Sequence, residues 1–563
     1  MAEKRFGHAV SGPVTLSRTP HSWVALIEGD TVPVERSEAA DGSVEWTFNF
    51  FDQGRFVGHQ ANARSRIRGH WIQPPGPVQN HSYATPLDFA AFDDGAGYRG
   101  TIVPYVQEVT LNIPLIAETG DIAGVDQRYR TFLRERERNL GMWFRIETVD
   151  VVGKDLRFRN ADGELLATGR SAERGERFSM VFPRFGETLD FTRRGRDAAP
   201  TFYPRRSATP VTKLYRPADV ADGWQTAEPD STGLNADLLT ELVASIAASD
   251  PGGLREPYIH ALLIAHRGRL VMEEYFHGYD RNQPHDSRSA GKTIGSALLG
   301  IALHKGIFQS LDTPVYPLFG GVERFANPDP RKRLITLRHL VSMSSGLDCR
   351  DDNPDSPGNE DTMQSQDAQP DWYRYALDLP MVSAPGDSSF YCTAGINLIG
   401  GALQRTTGVS LLRFFQENFA DPLEIPYYQM NLSPTQDAYM GGGIRLRPRD
   451  FLKLGQVYLD GGVWKGRRLV SQEWVRQSAA AHSAMNQPGD YGYGWWRQTF
   501  DVDGRSIDTY FASGNGGQML FVVPDLDMTV MIQAGNYSDG RTRNAFRDRI
   551  MGSFILPAAI ARN

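Results

Sequence analysis

Hydrophobic and polar positions divide the chain into stretches of different period. Over the first two hundred residues, Val109, Leu111, Ile113 and Leu115 alternate with Thr110, Asn112 and Pro114, and Phe144 and Ile146 alternate with Arg145 and Glu147. A period of two is that of a half-buried strand. The runs SWVALIEG, VEWTFNF, RIRGHWIQP and RFSMVFP repeat the pattern between Gly, Asp, Asn and Pro turns. Many short strands at near-regular spacing predict an N-terminal all-β domain, barrel or sandwich, over residues 1–205. Its aromatics Trp71, Tyr98, Trp143 and Phe144 read as core rather than as a ligand surface.

The pattern then changes. Residues 206–233 are rich in Pro, Ser, Thr and Asp and lack periodicity, which reads as a linker. In residues 234–563 the spacing becomes helical: Leu238, Leu239, Leu242 and Ile246 share one face of LNADLLTELVASIAAS. HALLIAHRGRLVMEEYF reads as a hairpin turned at Arg-Gly-Arg, and MLFVVPDLDMTVMIQAGN as another turned at Pro524–Asp527, followed by a helical tail from about Arg541. Strands at both ends with helices between predict an α/β domain whose sheet is assembled from distant parts of the chain.

Composition excludes several classes. With 563 residues, more than one domain is expected. A net charge of -7 leaves no basic footprint, so no nucleic-acid partner is expected. The apolar stretch from Ile294 to Leu303 is too short for a membrane span. The opening MAEKRFGHAV shows no charged-then-apolar leader, which fits a cytoplasmic protein or a periplasmic or secreted one whose leader has been removed. Homo-oligomerisation stays open. The two cysteines, Cys349 and Cys392, form no C-x-x-C and no H-E-x-x-H occurs, so no metal and no cofactor is expected. Whether the two cysteines pair is open; a bond between them would contribute about 4 kcal/mol by loop closure. DCRDDNPDSPGNED, 348 to 361, lacks the spacing of a calcium loop and reads as a solvated surface loop.

Candidate chemistry centres on SAGK, Ser289 to Lys292. From Ser289 onward SAGKTIGSALLGIALHKG has helical spacing, with Ile294, Leu298, Ile301 and Ala302 on one stripe and Gly306 at the end. Residues three apart lie on one helix face, so the Ser289 hydroxyl and Lys292 amine can meet. Burial and the helix N-terminus are both expected to lower the Lys292 pKa, leaving an amine able to act as a general base. An ordinary cap followed by an exposed lysine would give the same local pattern.

Two later segments add to this one. SSFYCTAGINLIGGAL places Tyr391 in a polar turn before an apolar helix, and FASGNGGQMLFVVP runs a Gly-rich strand into the last hairpin. With SAGK they resemble, in order and separation, the signature elements of the serine β-lactamase and penicillin-binding-protein superfamily, most closely class C β-lactamases and their related carboxylesterases. ITLRHLVSMSSGL, MGGGIRLRPRDFLKLGQVYLDGG and YGYGWW support the likeness, which covers about residues 235 to 560. The resemblance implies a β-lactamase-like α/β domain with an antiparallel sheet flanked by helices. It also implies an acyl-enzyme on Ser289, with Lys292 and Tyr391 moving protons and the Ser289 and Asn515 backbone N–H groups forming an oxyanion hole. Thr393, Ser513 and Gly514 would then face substrate. The sequence departs from the pattern in three places: Thr393 replaces the usual Asn, Ala512 the usual Lys and Ser513 the usual Thr. Without that lysine a substrate carboxylate lacks its expected anchor, so the expected substrate is a small carboxylic ester. Amide cleavage, including β-lactams and D-amino-acid peptides, is the alternative reading. A non-catalytic penicillin-recognising sensor is a third, and the intact SAGK and Tyr391 weigh against it.

Overall fold

The computed structural model describes all residues except 8, 40–41, 63–64, 79, 94, 173–174, 184–185, 207–209, 486–489 and 561–563. Eight antiparallel strands between Gly12–Arg18 and Gly97–Ile102 follow one another in chain order. Gly12–Arg18 pairs with Gly97–Ile102, and Tyr83–Ala91 also pairs with it, so the sheet closes into a barrel. Alternate inward residues fill the interior: Val14, Leu16, Trp46, Phe48, Phe56, Trp71 and Phe89 form a core of their own.

The remainder of the N-terminal region is a second β unit, where the sequence suggested one domain. Seven strands from Ile116–Ala117 to Glu187–Thr192 form an antiparallel meander, and Ala2–Arg5, Glu108–Asn112 and Arg134–Glu135 form a smaller sheet beside it. These share a separate core around Leu111, Phe158, Met180 and Phe182. The expected strand through Phe144 and Ile146 is instead irregular chain after the turn Leu140–Met142, and the strand at Val109 stops at Asn112. Pro114 cannot donate to a ladder, which accounts for the second ending. Trp71 and Phe144 pack into cores as expected, but Trp143 is 51% exposed.

The stretch read as a linker has little regular structure among its described residues, yet it is laid on the C-terminal domain. Leu214 and Trp224 are buried, the Trp224 indole donates to the Arg449 carbonyl at 3.0 Å, and Gln225–Thr226 adds a parallel strand beside Arg269–Tyr275. The two predicted hairpins, Ile259–His266 with Arg269–Tyr275 and Gln518–Val523 with Met528–Ala534, lie side by side in a nine-stranded, largely antiparallel sheet. The helix Pro448–Leu459 packs on this sheet, and Lys292–His304 packs against Thr393–Thr407. From Lys292 to Ala302 every residue is buried, so this helix is sunk on all sides rather than along one stripe.

The barrel sheet does not stop at the barrel. Tyr83–Ala91 also pairs with Gln429–Asn431, which pairs with Ile444–Leu446, which pairs with His285–Asp286. One continuous ladder thus runs from the barrel to the two residues that precede Ser287 and Ser289. Ile72 and Ala84 of the barrel belong to the core of the C-terminal domain.

Candidate active site

Ser289 lies in a tight turn, Arg288–Gly291, that leads into the helix Lys292–His304. The turn is held from behind. Ser287 donates its N–H to the Ile444 carbonyl at 3.0 Å, and the Asp286 carboxylate accepts the Arg288 N–H at 2.9 Å. Arg288 adopts a left-handed backbone, φ 47°, which a non-glycine residue keeps only when its surroundings enforce it. The Gly-rich strand Arg505–Gly514 abuts this turn. A Cβ on Gly514 would stand 2.5 Å from the Ser287 carbonyl and 3.0 Å from the Ala290 nitrogen, so glycine alone permits the approach.

The Lys292 ammonium donates to Ser289 Oγ at 2.9 Å and to the Gly441 carbonyl at 2.7 Å, and it sits 4.9 Å from the Tyr391 ring centre. The helix thus does bring the serine and the lysine together, as the i, i+3 spacing predicts. Its electrostatics run opposite to the expectation. Burial pushes the Lys292 pKa down, but Tyr391, Glu360 and Asp351 push it up, and the net direction is upward.

Tyr391 is set by aromatic and backbone contacts. Its ring stacks on Trp496 at 5.7 Å and meets Tyr491 edge-on at 6.0 Å, while its carbonyl accepts the Asp351 N–H at 2.9 Å. The next residue, Cys392, is disulfide-bonded to Cys349. That bond closes a loop of 43 residues and ties the acidic segment after Cys349 to the tyrosine turn. The Cys349→Ser/Cys392→Ser double variant is expected to lose about 4 kcal/mol of stability by loop entropy. Calorimetry should show a lower Tm, and an unchanged Tm would contradict this account.

Thr393, expected against substrate, is fully buried, and its N–H and hydroxyl both donate to Asp351, at 2.9 and 2.5 Å. Where the related pattern has an asparagine, this chain therefore has a threonine–aspartate pair. Burial first, then Glu360, pushes the Asp351 carboxyl up to about 7, against the pull of Lys292 and Thr393. The acidic segment is a solvated loop only in part: Asp352, Asp355 and Asp361 are exposed, while Asp351, Glu360 and Asp361 also line the cleft that contains Ser289.

The cleft has two lobes, with Ser289 and Asn515 at their boundary. The smaller, about 180 Å³, is lined by Tyr391, Ser513 and Gly514 and by Arg543 and Arg547 of the helix Gly540–Arg549. Arg543 Nε has no hydrogen-bond partner among the described residues. Burial and the adjacent Arg547 push its pKa down. Asn515 is fixed by its side-chain oxygen, which accepts the Ser538 N–H at 2.9 Å. The larger lobe, about 510 Å³, is walled on one side by the β region, through His81, Tyr83, Arg138 and Trp143.

Sequence reading missed the acidic wall, the two arginines and the β-region wall. A carboxylate-rich loop looks solvated until the cysteine pair folds it inward, and Arg543 follows Ser289 by some 250 positions with no motif to link them.

Residues 260–549, just over half of the chain, match the family model described as Beta-lactamase. The 6-aminohexanoate-dimer hydrolase of Paenarthrobacter ureafaciens is 24% identical over 317 residues, 52% of this chain and 76% of that protein. Among solved structures, "EstCE1, a hydrolase with promiscuous acyltransferase activity" matches 53% of this chain and 94% of its own at 18% identity, with a TM-score of 0.43. Simvastatin synthase (LovD) from Aspergillus terreus matches 54% and 95% at 18% identity, also with a TM-score of 0.43.

Proposed function

Since the chain belongs to the beta-lactamase family, we propose that it is a serine hydrolase that cleaves small carboxylic esters through an acyl-enzyme on Ser289. The observation that carries this reading is the 2.9 Å contact from a buried lysine to the serine hydroxyl, with the Tyr391 ring beside that lysine. Lys292 and Tyr391 interact closely enough to act as one proton-handling unit. As Ser289 Oγ attacks the ester, its proton passes to the Lys292–Tyr391 pair acting as one unit. Ser289 Oγ bonds to the carbonyl carbon, and the C–O bond to the alcohol breaks as the pair returns that proton to the leaving oxygen. A water molecule then repeats the sequence on the acyl-enzyme, releasing the acid. The Ser289 and Asn515 N–H groups are assigned to the oxyanion, where such donors contribute about 3 kcal/mol each.

A second reading, amide cleavage, is favoured by one observation. Arg543 and Arg547 place cationic charge in the smaller lobe, next to Ser513, and so replace from the helix the charge that the strand lost at Ala512. The relative named 6-aminohexanoate-dimer hydrolase points the same way. Parallel kinetics on a p-nitrophenyl ester, the matching anilide and a chromogenic cephalosporin separate the two. Ester turnover well above both others is expected, together with a fluorophosphonate adduct on Ser289. Rapid anilide or cephalosporin turnover with feeble ester turnover would reverse the order. No adduct on Ser289 would favour a sensor.

A further inference from the structure

One large aromatic in the cleft is held out in water by a rigid support. Trp143 lines the larger lobe together with Ser289 and is half exposed. The turn that carries it, Leu140–Met142, is clamped from within. Asn139 at its start is fully buried in a left-handed backbone, φ 48°, and its side-chain amide donates to the Leu254 carbonyl at 3.3 Å. A Cβ on Gly141 would run into the Leu133 carbonyl, so the turn lies flat on the chain beneath it. The Trp143 N–H donates to the Leu140 carbonyl at 3.0 Å, and the next residue, Phe144, packs edge-on against Phe182 at 4.9 Å. The backbone on both sides of the indole is thus fixed by buried contacts while the indole itself stays in the cleft. A single exposed apolar side chain is ordinary. One fixed in the same cavity as the nucleophile offers a ligand a flat face that needs little further ordering.

The polar groups of the same lobe come in both kinds. Arg138 and Arg288 hold the Asp286 carboxylate between them, at 2.9 and 3.5 Å. Glu360 accepts from the Tyr439 hydroxyl at 2.7 Å and from the Gln364 amide at 3.1 Å. Burial and then Glu360 push the Asp361 carboxyl up, and Arg288 pulls it back. Lys292 interacts with Glu360 and Asp351. The charges of the lobe are thereby answered by one another, which leaves no surplus for a lone cation or anion. What remains is a mixture of guanidinium donors and carboxylate acceptors, with the amides of Asn80 and Gln364 offering both. A hydroxyl donates and accepts at once, so a neutral ligand with several hydroxyls can use the whole lining. A pyranose ring has that character at its rim, and its C–H face is apolar and flat enough to lie on an indole. The volume, about 510 Å³, is that of a small-molecule site.

We propose that the larger lobe takes the sugar ring of a sugar ester, with Trp143 stacked on the apolar ring face and the ring hydroxyls bonded to Arg138, Arg288, Glu360 and Asp361. This names a substrate class for the hydrolase reading and rests on it for the ester, though not for the sugar site itself. Trp143 is then the specificity-determining residue, and it comes from the β region rather than from the domain that carries Ser289. The smaller lobe, about 180 Å³, is left for the smaller part of the ester.

Calorimetry on full-length Ser289→Ala reads the lobe without turnover. The probes are the methyl glycosides of glucose, galactose, mannose and N-acetylglucosamine, with cyclohexylmethanol as the ring without hydroxyls. Saturable binding of at least one glycoside is expected, lost when Trp143→Ala is added and retained with Trp143→Tyr. Trp143 is exposed, so both variants are expected to fold. Binding of none of the glycosides, or binding that survives Trp143→Ala, overturns the proposal. Kinetics on the active full-length protein then use the sugar that binds best in two ester pairs. Its 6-O-acetyl methyl glycoside against cyclohexylmethyl acetate puts the ring on the leaving side. The methyl ester of its uronic acid glycoside against methyl cyclohexanecarboxylate puts the ring on the acyl side. In one pair the sugar ester is expected to be preferred by at least about tenfold in kcat/KM, the worth of one stacked ring. Trp143→Ala should remove most of that ratio and Trp143→Tyr should keep it. Each ratio is taken within one variant, so a general loss of activity cancels. Equal rates in both pairs, or a preference untouched by Trp143→Ala, overturns the proposal. A missing fluorophosphonate adduct on Ser289 with glycoside binding intact would remove the hydrolase reading and leave the sugar site standing. Ester turnover without glycoside binding would do the reverse.

Discussion

Ser289→Ala is expected to lower kcat/KM on a p-nitrophenyl ester by at least about a thousandfold with little change in Tm, because it removes the nucleophile and almost no packing. Lys292→Ala should cost about as much activity and behave differently in calorimetry. Lys292 is 1% exposed, donates to both Ser289 Oγ and the Gly441 carbonyl, and interacts with the carboxylates of Asp351 and Glu360. Its removal leaves the buried Gly441 carbonyl without its donor, a loss of roughly 1–3 kcal/mol, so Tm should fall clearly. Burial of the ammonium is what separates the two variants in calorimetry. The double variant should be no slower than either single one, since the groups act as a unit. A double variant slower by the product of the two effects would show that Lys292 and Ser289 contribute independently, and the proton-transfer scheme would fail. Retained turnover in Ser289→Ala would place the chemistry elsewhere.

The same buried lysine shows where the sequence was legible and where it was not. The i, i+3 spacing of Ser289 and Lys292, the apolar run behind them and the two hairpins are local patterns, and local geometry delivered the 2.9 Å contact. The direction of the Lys292 pKa depends on Tyr391, Glu360 and Asp351, and the last two sit on a loop held by the Thr393–Asp351 contacts and tied to the tyrosine turn by the Cys349–Cys392 bond. That bond was open on sequence grounds, so the loop read as solvent-facing. Thr393 went astray for the same reason: a threonine at that position looks available to substrate until Asp351 is known to occupy its hydroxyl. In the N-terminal region the two-residue period matches the burial of Val44–Phe50, and Ile67–Gln73 is a strand as expected although Gly69 to Gln73 are all buried. A period says nothing about which strands share a core, so the division into a barrel and a second sheet could not be seen. Nor could it show that Tyr83–Ala91 would pair with a strand more than three hundred residues away.

That pairing governs the second large effect: deletion of residues 1–205 is expected to abolish soluble, active protein rather than to release an independent hydrolase. Removing the barrel strips the ladder partner from Gln429–Asn431 and leaves an open strand edge. Ile72 and Ala84 leave with it, so part of the main apolar core becomes surface. The contacts across the boundary are numerous. Arg445 pairs bidentately with Glu137 at 2.6 and 2.8 Å, Arg68 with Asp421, the His70 ring meets the Tyr428 hydroxyl at 2.7 Å, and the Tyr258 hydroxyl donates to the Thr201 carbonyl at 2.6 Å. Deletion returns most of these polar groups to water, so they are not left as buried unpaired charges, and the exposed apolar surface and the free edge do more of the damage. The catalytic consequence is more local. Asp286, which holds the N–H of Arg288 in its left-handed turn, loses Arg138, and the strand behind it loses its connection to the barrel. Any soluble fraction is therefore expected to hydrolyse the small p-nitrophenyl ester at least about a hundredfold more slowly, because a nucleophile displaced by about 1 Å loses that much. Size-exclusion chromatography and ester kinetics on the truncated protein check both parts. A monodisperse fragment with activity within a few-fold of the full chain would mean that the C-terminal domain alone fixes the turn at Ser289, and that the continuous ladder from the barrel has no part in holding the nucleophile.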